Sequence, residues 1–211
     1  MNLYDHISSN KRKSFILFVF FFLIIGVLGS LLGILFIGDY LFGLILASII
    51  GVIYSLIIWN SGNSMILNAV HAKEVKRSED PYLVNTVEGL AIAAGIPTPK
   101  IYIINEESPN AFATGRDPKN ASIAVTSGLR KKLNRTELEG VLAHEISHIK
   151  NYDIRYMMLV AVLLGIVTLL SDFIIRGFFY RSGGNRSKGG AILILIGLVL
   201  AILAPLIAQL V

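Results

Sequence analysis

"VLAHEISHIK", residues Val141–Lys150, sets two imidazoles four residues apart, His144 and His148, with Glu145 directly after the first. Side chains four apart lie one turn apart on the same helix face. Both rings can therefore point a nitrogen at one zinc ion about 2.0–2.1 Å away. Glu145 is turned roughly 100° from His144, so it borders such a site without having to ligate. There it can take a proton from an attacking water and deliver it to a leaving amine. Zinc brings the pKa of a water it binds down to about 7, which makes the nucleophile available at neutral pH. The pattern predicts peptide-bond hydrolysis. The bland alternative is a helix with two ordinary histidines. Against it, Val141, Leu142 and Ile146 are apolar, as a half-buried helix requires. Thr136 and Glu139 also have the S/T-x-x-E spacing of a capping box, and are expected to open the helix.

Upstream of this helix the period changes. Asp80-Pro81 predicts a helix start, with Leu83, Val87, Leu90 and Ala94 at helical spacing and Gly95, Pro97 and Pro99 as stops. "KIYIIN" (Lys100–Asn105), "NAFATG" (Asn110–Gly115) and "ASIAVTS" (Ala121–Ser127) read as three short strands, the last two separated by the turn residues "RDPKN". Helix, short sheet and helix make an α+β unit over 61–155, large enough for one compact core.

The rest of the chain is too apolar for water. Hydrophobic residues make up 54% of 211, and the mean hydropathy of +0.68 exceeds that of an ordinary soluble domain. Uncharged runs span 15–37, 40–59, 157–171 and 191–211, the third extendable to 175 only past Asp172. A membrane-crossing helix needs about 20 apolar residues. Three of the runs meet that, and the third is marginal. Residues 1–60 are expected to form a transmembrane hairpin (about 15–37 and 40–59) turning at Gly38–Tyr40, and 156–211 a second hydrophobic pair (about 156–175 and 191–211). Lys11, Arg12 and Lys13 precede the first run as they would in a secretory signal, but the run is too long for a signal core and no small-residue cleavage site follows it. It reads as a retained helix with a cytoplasmic basic flank.

There is no cysteine, so thiolate ligands and disulfides are excluded. The net charge of +5 is no nucleic-acid footprint, because residues 61–155 hold twelve Lys/Arg against eleven Asp/Glu. The surplus flanks the apolar runs, at Lys11–Lys13 and at Arg176, Arg181, Arg186 and Lys188, where the lipid bilayer is the natural partner. The four residues after the third run conflict with a simple topology. Two crossings from a cytoplasmic N-terminus put them outside, against the positive-inside tendency.

"SPNAFATG", "IAVTSGL" and "LEGVLAHEISHIKNYD", between flanking hydrophobic pairs, strongly resemble the HtpX-type membrane zinc metalloproteases, relatives of the CaaX prenyl endoproteases. The resemblance runs over nearly the whole chain and is strongest over 72–155. It implies an α+β fold in which a multi-pass α-helical membrane protein carries a small zincin-like (gluzincin) metalloprotease domain. It implies a Zn²⁺ cofactor, His144 and His148 as ligands and Glu145 as catalytic base. It further implies a cytoplasmic catalytic domain in the cell membrane that degrades misfolded membrane or unfolded proteins in quality control. The strand of Asn110, Ala111, Phe112, Ala113, Thr114 and Gly115 would then line the cleft and pair with extended substrate. Otherwise it is a plain core strand.

One part of the family pattern is missing. Its third zinc ligand is a glutamate beyond the fourth apolar segment, whereas here no glutamate follows Glu145 and no histidine follows His148. Asp153 would sit about 180° around a continuous helix from His144, and Asp172 lies far along the chain. Upstream, only His6 and His71 remain as histidines. A hydrolytic zinc wants three protein ligands. The chain is therefore expected to be truncated and, as it stands, catalytically dead while keeping its fold. The competing readings are a non-catalytic relative that binds membrane-protein segments, and a membrane anchor whose H-E-x-x-H is accidental.

Overall fold

A computed structural model describes residues 3–163. The chain divides into two compact units. One holds the chain up to Ile16 together with Leu56–Leu159, and the other holds Leu17–Ser55 and the residues from Val160 on. The expected fourth apolar segment (191–211), most of the third, Asp172 and the basic residues from Arg176 lie outside the described residues.

The second unit contains the facing parts of two long helices, α1 (Leu3–Phe36) and α2 (Tyr40–Ala69). They are joined where the sequence predicts a turn. Gly38 takes φ 80°, a left-handed value that suits a residue without Cβ, and its amide returns to the Gly33 carbonyl at 2.9 Å. Asp39 Oδ1 then accepts from the Leu41 amide at 2.8 Å and starts α2. The helices meet backbone to backbone. A Cβ added to Gly43 would stand 2.2 Å from the Gly29 carbonyl oxygen, and one on Gly33 would stand 2.8 Å from Gly43 Cα. Leu23, Val27, Ile45, Ile49 and Ile53 are exposed around this pair. Among the described residues, two stretches, Ile7–Ile34 and Tyr40–Ala69, are long and apolar enough to cross a membrane. The helices run well past the uncharged blocks, and α2 passes straight through the expected boundary at residue 60.

The other unit is the α+β body. Asp80 caps α3 (Pro81–Ala94) by accepting the Leu83 amide at 3.0 Å, and Pro81 takes the position where its missing N–H does no harm. Gly95, at φ 71°, closes it. Among the described residues four strands follow the order β1-β2-β4-β3: β1 (Lys73–Glu74), β2 (Lys100–Ile104), β3 (Ala111–Gly115) and β4 (Ala121–Thr126). β4 is buried along its whole length because it is central, parallel to β2 and antiparallel to β3. β1 is too short to be foreseen from periodicity and adds an antiparallel edge to β2. One face of the sheet, with Ile101, Ala113, Ile123 and Val125, packs on Leu83 and Val87 of α3 and on Leu138, Leu142, Ile146 and Ile149 from the next long helix. The other face, with Ile104 and Ala124, packs on Leu67 near the end of α2. Each fully buried Leu or Ile contributes about 1.5–3 kcal/mol.

A short helix, α4 (Ser127–Lys132), follows β4 and ends at Leu133. Its early end corrects the expected capping box. α5 (Arg135–Lys150) is capped by Asn134, not Thr136: Asn134 Oδ1 accepts the Glu137 amide at 3.0 Å, and Glu137 Oε2 accepts the Asn134 amide at 2.9 Å. The segment "NRTELE" holds two overlapping x-x-Glu patterns. The earlier one is used because the chain leaves α4 extended at Leu133, and Asn is among the strongest N-caps.

Candidate active site

α5 lies on the sheet through Leu138, Leu142, Ile146 and Ile149, all buried. That seating fixes where the next face of the helix points. His144 and His148 share it, one turn apart, their ring planes at 82°. Their Nε2 atoms converge to 3.1 Å. Two nitrogens at 2.0–2.1 Å from one tetrahedral zinc stand roughly 3.3 Å apart. The pair is thus within a few tenths of an ångström of a zinc-holding arrangement, and the donor set, neutral imidazole, suits that metal.

Glu145 is 9% exposed. Burial pushes its carboxyl above the usual carboxylate range, against the opposing pull of the His148 ring, an N–H donated by Ala113 and the His144 ring. A carboxylate raised toward neutrality is a better proton acceptor, as a general base requires. The Ala113 contact also ties Glu145 to β3. That strand is at the edge of the sheet, so among the described residues one of its sides has no strand partner.

The predicted substrate strand is split by environment. Asn110 is exposed, Ala111 and Phe112 are half-buried, and Ala113, Thr114 and Gly115 are buried. Asn110 is pinned from both sides by Thr126, whose Oγ1 accepts the Asn110 amide at 2.9 Å and whose own amide donates to the Asn110 carbonyl at 2.9 Å. Gly115 has φ 142°, and a Cβ there would stand 2.4 Å from the Asn120 carbonyl oxygen, so the strand ends on a residue that tolerates no side chain. Ala113 is brought to Glu145.

Asp153 does not face away, because the helix does not continue. α5 stops at Lys150, Asn151 caps it, and Tyr152 takes the left-handed φ of 63°. The chain turns and residues 153–163 resume as helix. The turn delivers Asp153 Oδ2 to 2.7 Å from His148 Nδ1. Facing a carboxylate, Nδ1 carries the proton and donates it. In the neutral ring Nε2 then carries a lone pair aimed toward His144. This carboxylate–histidine arrangement is what fixes the tautomer and ring angle of metal-ligating histidines. The sequence signal was present in "NYD", a cap-prone Asn followed by a second polar residue, but it requires a helix stop that the spacing argument did not include. His71, at φ 52°, is exposed. Among the described residues no group of three His, Cys, Asp or Glu side chains could hold a metal, so the site there consists of two histidines.

Comparison with known proteins identifies the family. Residues 77–211 match the sequence model of peptidase family M48. A "Protease HtpX homolog" from Dictyoglomus turgidum is 49% identical over 208 residues, covering 98% of this chain and 67% of its own length. Homologues of the same name from Listeria monocytogenes serotype 4a and Streptococcus agalactiae serotype III are each 45% identical, and the match covers 72% of each. With two imidazoles converging on α5 and a buried glutamate beside them, the chain belongs to peptidase family M48, among its HtpX-type membrane-associated metalloproteases.

Proposed function

We propose that the chain is a zinc-dependent endopeptidase held in a membrane by α1 and α2. His144 and His148 hold the metal, Glu145 acts as catalytic base, and the edge of β3 receives an extended polypeptide. The observation that carries this reading is the convergence of the two Nε2 atoms, with Glu145 buried beside them. Zinc, when bound, supplies Lewis acidity that activates water and polarises a carbonyl. The protein's own part is proton traffic and placement. Glu145 is placed to accept a proton from the attacking water and to pass it to the leaving amine. Asp153 keeps the His148 ring from rotating. β3 offers backbone groups to an incoming strand, so that binding does not depend on substrate side chains. Lys11–Lys13 beside the first apolar stretch favour a cytoplasmic N-terminus and catalytic unit. The substrates are misfolded membrane proteins or unfolded chains, as in quality control.

The test is cleavage of an unfolded casein-like substrate by the detergent-solubilised protein, with Glu145→Gln as control. Loss of about 10²–10⁴ in rate is expected for removal of a general base. Cleavage that survives the substitution rejects Glu145 as base. A second reading is favoured by one observation, that only two donors stand at the site among the described residues. Under it the protein binds polypeptide segments and cuts them poorly until a third ligand is supplied. Elemental analysis separates the two: one tightly held zinc per chain supports the enzyme, and zinc lost on simple dialysis supports the binder.

A further inference from the structure

Asn10 stands on α1, 143 residues before Asp153, yet the two side chains meet. A side-chain amide has two N–H bonds. The Nδ2 group of Asn10 donates to Asp153 Oδ1 and, at 3.1 Å, to the carbonyl of Asn151. The other oxygen of the same carboxylate, Oδ2, accepts from His148 Nδ1 at 2.7 Å. One carboxylate thus bridges an amide on the N-terminal helix and a ring of the proposed metal site. The contact belongs to a packed surface. Lys11 Nζ lies 4.5 Å from the Tyr152 ring centroid, on the same turn that carries Asp153. Ser14, one turn beyond Asn10, is 3% exposed and donates back to the Asn10 carbonyl at 2.9 Å.

We propose that Asn10 is a positioning residue for the metal-binding ring of His148, acting through Asp153. The proposal rests on the reading of His148 as a zinc ligand. A carboxylate at the start of a helix can rotate and exchange partners with water. Anchored at both oxygens, Asp153 has one orientation, and the ring it holds has one orientation in turn. Without the Asn10 amide, Oδ1 and the Asn151 carbonyl both lose a donor, and the carboxylate is free to swing away from Nδ1. The residue preceding the first basic cluster is then part of the metal site although it lies nowhere near it in sequence.

Removing a direct partner of a ligating histidine costs about 10- to 100-fold in metal affinity, and a partner one bond further out is expected to cost about 3- to 10-fold. The experiment uses the full chain in detergent, zinc alone as ligand, and competition with a chromophoric chelator to read affinity. Asn10→Ala is expected to weaken zinc by that smaller factor, and Asp153→Ala by the larger. In the Asp153→Ala background, Asn10→Ala should add nothing, since the relay is already cut; a merely structural role would add its full effect there. Asn10→Asp keeps the shape, removes the donors and opposes Asp153 with a like charge, so it serves if the alanine variant fails to fold, and should weaken zinc at least as much. Affinities within twofold of the parent in both Asn10 variants, or an undiminished loss in the double variant, would overturn the proposal. If His148→Ala leaves zinc affinity unchanged, it is the ligand assignment that fails. The relay is then judged by ¹⁵N spectra of the His148 ring. A fixed Nδ1–H tautomer that becomes mixed in Asn10→Ala supports it, and an unchanged spectrum overturns it.

Discussion

The two units of this chain hold their helices together by opposite means. Between α1 and α2 the contact is made where side chains are absent, at Gly29, Gly33 and Gly43, and the large apolar groups point outward. In the α+β body the contact is made where side chains are largest, with Leu83, Ile123, Leu138, Leu142 and Ile149 fully buried between helices and sheet. Water explains the second arrangement, because burial of apolar area drives it. It cannot explain the first. In a membrane, as proposed for these helices, surroundings as apolar as their own side chains would leave little gain from burying leucine, so close backbone approach and dispersion would decide their pairing. Glycine therefore has two meanings in one molecule, a contact surface in the hairpin and, at Gly89 and Gly140, an unfilled position in the body's helices.

That contrast can be broken most sharply with large-to-small changes. Leu142→Ala should destabilise the body by about 2–5 kcal/mol, the range for emptying a buried core site. Urea unfolding followed by the single tryptophan, Trp59, reads it directly. Leu46→Ala, at a side chain 46% exposed in the hairpin, should shift the same curve by no more than about 0.5 kcal/mol. Equal shifts would erase the distinction. The inverse change comes next. Gly43→Leu should cost about 1–3 kcal/mol or more by overpacking and separate the helices. The chain has no cysteine, so a Cys pair introduced at Gly26 and Leu44, where a Cβ built on Gly26 would meet Leu44 Cδ1 at 3.3 Å, should cross-link more readily in the parent than in the variant.

Two smaller changes sharpen the account of the body. Asn134→Ala should cost about 1 kcal/mol by leaving first-turn amides of α5 unpaired, whereas Thr136→Ala should fall within about 0.5 kcal/mol. Gly89 sits inside α3 with open space where a Cβ would go, so Gly89→Ala should stabilise by about 0.5–1 kcal/mol, opposite in sign to Gly43→Leu. The least effect concerns acid. Burial alone would raise the Asp80 carboxyl, but the Arg130 guanidinium and the Leu83 amide outweigh it and hold it below its usual range. A depressed carboxyl stabilises fully above its unfolded pKa of about 3.9 and loses that contribution as pH falls through the lower folded value. Asp80→Asn should therefore flatten the stability curve below about pH 4 and leave its slope near pH 7 unchanged, as urea midpoints across that range would show.

The hairpin was legible in the sequence because composition alone demands it, and α3, β2, β3 and β4 because Leu83/Val87 spacing and β-branched runs are local signals. That His144, Glu145 and His148 share one helix was legible for the same reason, since the spacing is local. What failed did so where the signal was short or distant. β1 has two residues and α4 six, too few for a period to speak. The cap of α5 was displaced by two residues because Asn134-x-x-Glu137 and Thr136-x-x-Glu139 overlap. Asp153 was placed on the wrong side because an uninterrupted helix was assumed, and one residue at positive φ reverses that geometry. Asn10 could not be found at all, since nothing local links it to a partner 143 residues away.

If β3 receives an extended polypeptide as proposed, its side without a strand partner among the described residues has a consequence for selectivity. Five residues of strand span roughly 17 Å, and a ladder along that length is written in main-chain groups that every polypeptide has. A folded protein keeps those groups occupied in its own helices and sheets. A chain can dock there only if it can surrender several consecutive residues to an extended conformation, so the edge would sort candidates by local unfolding free energy before any side chain is read. Loose termini and the frayed ends of damaged helices would qualify, and intact domains would not. Its side chains, alternating in and out with a period of two, would add at most a coarse preference at every other position. An edge used in that way would measure foldedness, and a hydrolytic centre beside it would turn that measurement into a lifetime.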